Sequence, residues 1–125
     1  MNLVYHSTRN SEETATASEA ILKGLTSDGG LFVPDSIPKL NVSLEDLTQM
    51  SYQEIAYAVM KEFLTDFTEE ELKTCINNAY DSKFDTEEIA VTKKVDGAYY
   101  LEPFHYRRII FFVRPFENLI GRRFP

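Results

Sequence analysis

Seven apolar residues, Tyr52, Ile55, Ala56, Val59, Met60, Phe63 and Leu64, recur at i, i+3, i+4, i+7, i+8, i+11 and i+12. Only a helical period places all of them on one face, so this stretch is constrained to be an amphipathic helix of about three turns. Ser51 and Glu54 stand before it as a capping box, in which hydroxyl and carboxylate satisfy the amides left free at a helix start. Thr68 and Glu71 repeat the device, predicting a second helix with Leu72, Cys75, Ile76, Ala79 and Tyr80 on its buried face. Thr16 and Glu19 predict another through Ala20, Ile21 and Leu22, with Gly24 as its C-terminal cap. A shorter helix is expected from Ser43, using Leu44 and Leu47.

The strand signals are fewer. Leu3-Val4-Tyr5 is a short β-prone run followed by a polar stretch from His6 to Glu13, and Leu31-Phe32-Val33 is an apolar run closed by Pro34. Asp28-Gly29-Gly30 between them reads as a turn that needs positive φ. Near the other end, Asp96-Gly97 separates Ile89–Val95 from Ala98–Leu101, a two-residue hairpin signal. Helices and strands that do not alternate strictly predict an α+β domain, with helices packed on a short sheet and a C-terminal hairpin.

At 125 residues, 43% apolar and 26% charged, the chain has the composition of one soluble globular domain. No apolar run approaches the roughly 20 residues of a membrane span, and MNLVYHSTRN lacks the pattern of a signal peptide, so a cytoplasmic protein is expected. A net charge of −7 argues against a nucleic-acid partner for the main body of the chain. His6 and His105 are the only histidines and Cys75 the only cysteine, so neither a structural zinc site nor an internal disulfide is expected. Cys75 lies on an apolar stripe and reads as packing, not as a nucleophile.

Two short blocks have chemical interest. Ser7-Thr8-Arg9 follows a strand and sets two hydroxyls beside a guanidinium, which suits an anion and equally suits a solvated turn. Asp28-Gly29-Gly30 lacks the lysine and spacing of a phosphate loop and by itself reads as a plain turn. The end of the chain differs from both. Residues 1–105 hold all seven lysines, one arginine and 19 acids, whereas residues 106–125 hold five arginines, no lysine and one acid, Glu117.

Taken as a set, Tyr5-His6-Ser7-Thr8-Arg9, the block from Gly24 to Pro34, Met50 to Ala56 and Tyr99-Tyr100-Leu101-Glu102 resemble the opening of threonine synthase. The resemblance runs over residues 1–105. That family uses pyridoxal phosphate (PLP) to convert O-phospho-L-homoserine and water to L-threonine and phosphate. Its small N-terminal α+β domain precedes larger cofactor domains. The resemblance implies that Ser7, Thr8 and Arg9 approach the phosphorylated substrate, and that Asp28, Gly29 and Gly30 shape a turn facing the cofactor domains.

The family's lysine follows a Leu-Phe-His-Gly-Pro-Thr-x-x-Phe-Lys-Asp type of motif. Here Leu101-Glu102 is altered at Pro103, continues as Phe104-His105, and breaks into Tyr106-Arg107-Arg108, with no lysine after Lys94. The Schiff-base residue is therefore missing, no cofactor is expected in this chain, and activity of the chain alone is not expected. Residues 106–125 then read as out-of-frame translation or a foreign junction. Within them Ile109-Ile110-Phe111-Phe112-Val113 is a β-prone, uncharged run, for which self-association is expected. The competing readings are a small binding module that docks an acidic partner or nucleic acid through the arginine and aromatic side chains of Tyr106 to Pro125, and a fragment that functions beside a separately made cofactor domain.

Overall fold

The computed structural model describes residues 2–10, 12–80 and 91–102. Elements follow in the order β1 (Tyr5–Ser7), β2 (Thr14–Ala15), α1 (Ala17–Lys23), β3 (Phe32–Pro34), α2 (Leu44–Leu47), α3 (Tyr52–Phe63), α4 (Glu69–Ala79), β4 (Val91–Val95) and β5 (Ala98–Glu102). The architecture is α+β, as the spacing of apolar residues and turns requires. β1 is the centre of a small antiparallel sheet in the order β2-β1-β3, with Tyr5 opposite Ala15 on one side and Pro34 on the other. Pro34 fits inside β3 because β3 is an edge strand, where no ladder donor is needed on the outer side.

All four described helices begin at a hydroxyl cap. Thr16, Ser51 and Thr68 each accept a bond from the amide three residues on, and Glu19, Glu54 and Glu71 each reach back to close the capping box. Ser43 accepts from the Asp46 amide at the start of α2. The far end of α4 is held by Gln53 of α3, whose Nε2 donates to the Tyr80 carbonyl at 2.6 Å. Gly24 ends α1 with φ 73° and donates its amide to Ala20.

The core forms where α3 and α4 pack together and meet α1 and β1. Ala17, Phe67, Leu72 and Cys75 are its buried centre, with Tyr5, Ile21, Tyr57, Met60 and Leu64 against them. On α4 the expected face is the buried one: Leu72, Cys75, Ile76 and Ala79 are buried, and Tyr80 meets the edge of Tyr52 at 4.9 Å between ring centres. Cys75 packs as a small apolar residue, and desolvation, with Glu71 adding to it, pushes its thiol up to about 11. On α3 the seven-residue stripe is mostly half-buried: of its residues Ala56 alone is buried and Tyr52 is exposed, while Ala58, outside the stripe, is buried as well.

Three expectations need adjustment. The first strand lies two residues later than Leu3–Tyr5 and takes in His6 and Ser7 from the polar stretch. Its partner β2 carries no apolar run and had no sequence signature. The strand at Leu31–Val33 lies at Phe32–Pro34, and Leu31 instead makes a single bridge to Leu25. The hairpin turns where expected, with Asp96 at φ 49° and Gly97 at φ 82°. Its β5 strand runs through Glu102, while Ile89 and Ala90, residues 103–125 and the run 109–113 lie outside the described residues. No described helix is long and apolar enough to cross a membrane.

Leu72 is 2% exposed at the meeting point of the helices. Leu72→Ala should cost about 2–5 kcal/mol through lost burial and the cavity left behind. Thr68→Ala should cost about 1 kcal/mol through the lost cap. Urea unfolding followed by helical circular dichroism measures both, and equal losses for the two variants would contradict this packing.

Candidate functional site

The two blocks singled out in the sequence are one structural unit. β1 ends at Ser7, and the hairpin of backbone between Leu25 and Leu31 folds over it, carrying Asp28, Gly29 and Gly30 to its side chain. The Asp28 carboxylate is the hub. Its Oδ1 accepts from Thr26 Oγ1 at 2.5 Å, from Ser7 Oγ at 2.9 Å and from the Gly30 amide at 3.0 Å, and Ser7 Oγ lies 3.1 Å from Oδ2. The bond from Thr26 is the largest influence on this carboxyl; desolvation opposes it, and the bonds from Gly30 and Ser7 with the nearby Arg9 charge keep the balance below the ordinary range.

Ser7 is 3% exposed and fully engaged: while its hydroxyl donates to Asp28, its oxygen accepts from the Arg9 amide at 3.1 Å. Thr8 locks the other side of the turn, its amide donating to the Leu31 carbonyl at 2.9 Å and its Oγ1 accepting from the Leu31 amide at 3.0 Å. Gly29 takes φ 74°, the positive value expected of this turn. Gly30 is needed for a different reason. A Cβ there would lie 2.5 Å from Ser7 Oγ, 2.9 Å from Thr26 Oγ1 and 3.0 Å from Thr8 Oγ1, so only a residue without one fits among three hydroxyls.

Arg9 lies at the exposed end of this unit. Its Nη1 donates to the Asp28 carbonyl at 2.9 Å, which tethers one nitrogen of the guanidinium beside the turn. Among the described residues no carboxylate forms an ion pair with it. The arrangement can present a fixed guanidinium and an adjacent threonine to an anion. It does not present Ser7, whose hydroxyl serves the fold.

Thr26 and Glu13 complete the unit and were missed in the sequence. Thr26 is buried beneath Asp28, and the Glu13 carboxylate accepts from both the amide and the hydroxyl of Ser27, tying the turn to the segment before β2. The pattern Thr26-x-Asp28-x-Gly30 is a side-chain-to-backbone turn that could have been recognised, since aspartate commonly accepts from the amide two residues on. Glu13 had no local signature.

Away from these residues, α3 and α4 with residues 42 and 50 border a groove of ≈ 600 Å³ that includes Tyr57, Lys61 and Lys73. Lys73 is paired with Glu69 at 2.5 Å, and that bond raises its pKa. An imine-forming lysine needs the reverse, an amine shed of its proton. Lys23, Lys39, Lys93 and Lys94 are exposed, and Lys61 lies near Glu62 at 3.9 Å. The described lysines therefore do not fit PLP, and no metal-binding cluster of His, Cys, Asp or Glu occurs among the described residues.

The family model described as "Threonine synthase N terminus" matches residues 4–80. Threonine synthase from Saccharomyces cerevisiae is 35% identical over 112 residues, covering 82% of this chain and 22% of the yeast protein. The Eremothecium gossypii threonine synthase is 37% identical over 115 residues, again covering 22% of its own length. The chain thus spans about a fifth of the length of these relatives. In fold, it is similar to a PLP-bound threonine synthase from Brucella melitensis, with TM-score 0.80 and 23% identity over 97% of this chain and 28% of that one.

Gly30→Ala should destabilise the chain by about 1–3 kcal/mol through overpacking against the three hydroxyls. Because the carboxyl of Asp28 titrates below its ordinary value of 3.8 when folded, its bonds stabilise the fold fully above that value and fade as pH falls through the lowered one. Melting temperatures of the natural chain and Asp28→Asn should therefore differ by a constant amount at neutral pH and converge below 3.8. A difference that stays constant into strong acid would contradict the assignment.

Proposed function

The chain belongs to the threonine synthase family, and from that membership we propose that it is the N-terminal part of an enzyme converting O-phospho-L-homoserine to L-threonine and phosphate. What supports a substrate role is the guanidinium of Arg9, tethered at one nitrogen to the Asp28 carbonyl and otherwise exposed. A guanidinium already tethered at one nitrogen pairs with phosphate oxygens at a lower ordering cost than a free one. In this reading Arg9 and the exposed Thr8 face the phosphoryl group, while Ser7, Asp28 and Gly30 hold them there. Asp28, Gly29 and Gly30 form the turn that meets the rest of the enzyme.

By itself the chain is inactive in this reading. The lysines of the sequence all precede residue 95, the motif begun at Leu101-Glu102 breaks after His105, and residues 106–125 carry arginine where the rest uses lysine. We read that last segment as out of frame. Sequencing the source DNA across the His105 codon tests this, with Gly-Pro-Thr and Phe-Lys-Asp expected in another frame. An intact frame would favour the second reading, a module that docks an acidic partner through the five arginines of residues 106–125.

The substrate role is tested in the full-length S. cerevisiae relative with the change equivalent to Arg9→Ala. Loss of a charge-assisted contact of about 1.5–3 kcal/mol should raise KM for the phosphorylated substrate by roughly 10–100-fold. An unchanged KM would remove Arg9 from the site.

A further inference from the structure

Arg9 meets Asp28 at its neutral end. The Arg9 Nη1 donates to the Asp28 carbonyl at 2.9 Å, while the carboxylate of the same residue is turned onto Thr26, Ser7 and Gly30. Among the described residues no ion pair joins the two charges. Carbonyl and carboxylate belong to one residue, so rotation between staggered positions about the Cα–Cβ bond is all that keeps them apart.

Charge alone favours that rotation. A guanidinium and a carboxylate can form two parallel charge-assisted bonds, whereas a carbonyl offers a neutral acceptor. The opposing force is the set of donors beneath the turn. Oδ1 takes the Thr26 hydroxyl at 2.5 Å, the Ser7 hydroxyl at 2.9 Å and the Gly30 amide at 3.0 Å. An outward pair with the exposed Arg9 would be screened by water and contribute little, so the inward arrangement wins.

Thr26 is the donor best placed to hold this balance. Its side chain is buried, and its hydroxyl makes the shortest bond to the carboxylate. Its backbone is fixed independently, with the amide donating to the Gly30 carbonyl at 3.1 Å and the carbonyl accepting from the Gly29 amide at 3.0 Å. Valine at this position would keep the shape and both backbone bonds. It would also set an apolar surface against an ionised oxygen, which disfavours the inward carboxylate.

We propose that Thr26 is a positioning residue for anion binding: its hydroxyl holds the Asp28 carboxylate beneath the turn, which leaves the Arg9 guanidinium open to a phosphoryl group. The anion's identity rests on the functional reading above. Without that hydroxyl, Asp28 turns out to Arg9 and competes with the anion for the guanidinium.

The test uses this full chain, with inorganic phosphate as the probe and the Arg9 side-chain N–H signals followed by NMR. Thr26→Val should weaken phosphate binding at Arg9 by roughly 3–10-fold, the strength of a competing ion pair near the surface. Thr26→Ser, which keeps the hydroxyl donor, should stay within about 2-fold of the natural chain. Without phosphate, the Arg9 signals should move on Thr26→Val and return when Asp28→Asn is added, because the asparagine has no charge to offer. The same addition should restore phosphate binding. A loss that Asp28→Asn leaves in place would make Thr26 a residue that only shapes the turn, and would overturn the proposal. Arg9 signals unmoved by Thr26→Val would overturn it equally. If the natural chain takes no phosphate at Arg9 while the phosphate-free signals behave as expected, the functional reading fails and the hold of Thr26 on Asp28 stands. Should Thr26→Val not fold, Thr26→Ala is read in the same way.

Discussion

One carboxylate organises the part of this chain that bears on function. Asp28 gathers the hydroxyls of Ser7 and Thr26 and the amide of Gly30, and its own carbonyl receives Arg9. Ser7 and Asp28 are 21 residues apart, so their bond joins the end of β1 to the turn before β3. Buried hydroxyls and amides carry a cost unless paired, and a single ionised acceptor satisfies three of them here. The two strands of the sheet are therefore fixed to each other by side chains as well as by their ladder. Arg9 inherits its position from that joint.

The helices supply the rest of the stability. α3 and α4 pack around Leu72, Cys75 and Ile76, and Phe67 in the loop between them reaches Ala17 of α1. A second polar tie reinforces that contact, since the amide and hydroxyl of Ser18 both donate to the Asp66 carboxylate. The sheet is bound to the same loop through Leu3, whose amide donates to Thr65, and through Tyr5, whose hydroxyl donates to the Phe63 carbonyl at 2.9 Å. The turn that carries Asp28 is thus mounted on β1, and β1 is mounted on the helix pair. The ribbon at residues 91–102 is separate in character, with aromatic residues open to solvent on both faces.

How legible this was in the sequence depended on how local each cause is. Capping boxes and helical stripes act within a few residues, so α1, α3 and α4 could be placed from Thr16, Ser51 and Thr68 and their glutamates. The hairpin at Asp96-Gly97 was equally local. β2 was not legible, because Thr14 and Ala15 form a strand only where β1 already provides a ladder. Ala58 escaped because it lies outside the apolar stripe of α3, so no helical repeat marked it. Of the site, the residue blocks 7–9 and 28–30 were visible as separate turns. That they are one unit depends on the contact across 21 residues between Ser7 and Asp28, which no local pattern announces. The sequence also offered Ser7 and Arg9 as equals. Burial separates them, leaving Ser7 to the fold and Arg9 to solvent.

The joint between the two blocks is tested most directly by a double-mutant cycle on Ser7→Ala and Asp28→Asn, measured as thermal unfolding of this chain at neutral pH. Residues in direct contact couple, whereas independent sites add. If one carboxylate holds both strands, Asp28→Asn should cost clearly less once Ser7 is already alanine than it does in the natural chain. Losses that simply add would mean that the two blocks stand side by side without holding each other, and that Arg9 owes its position to something else.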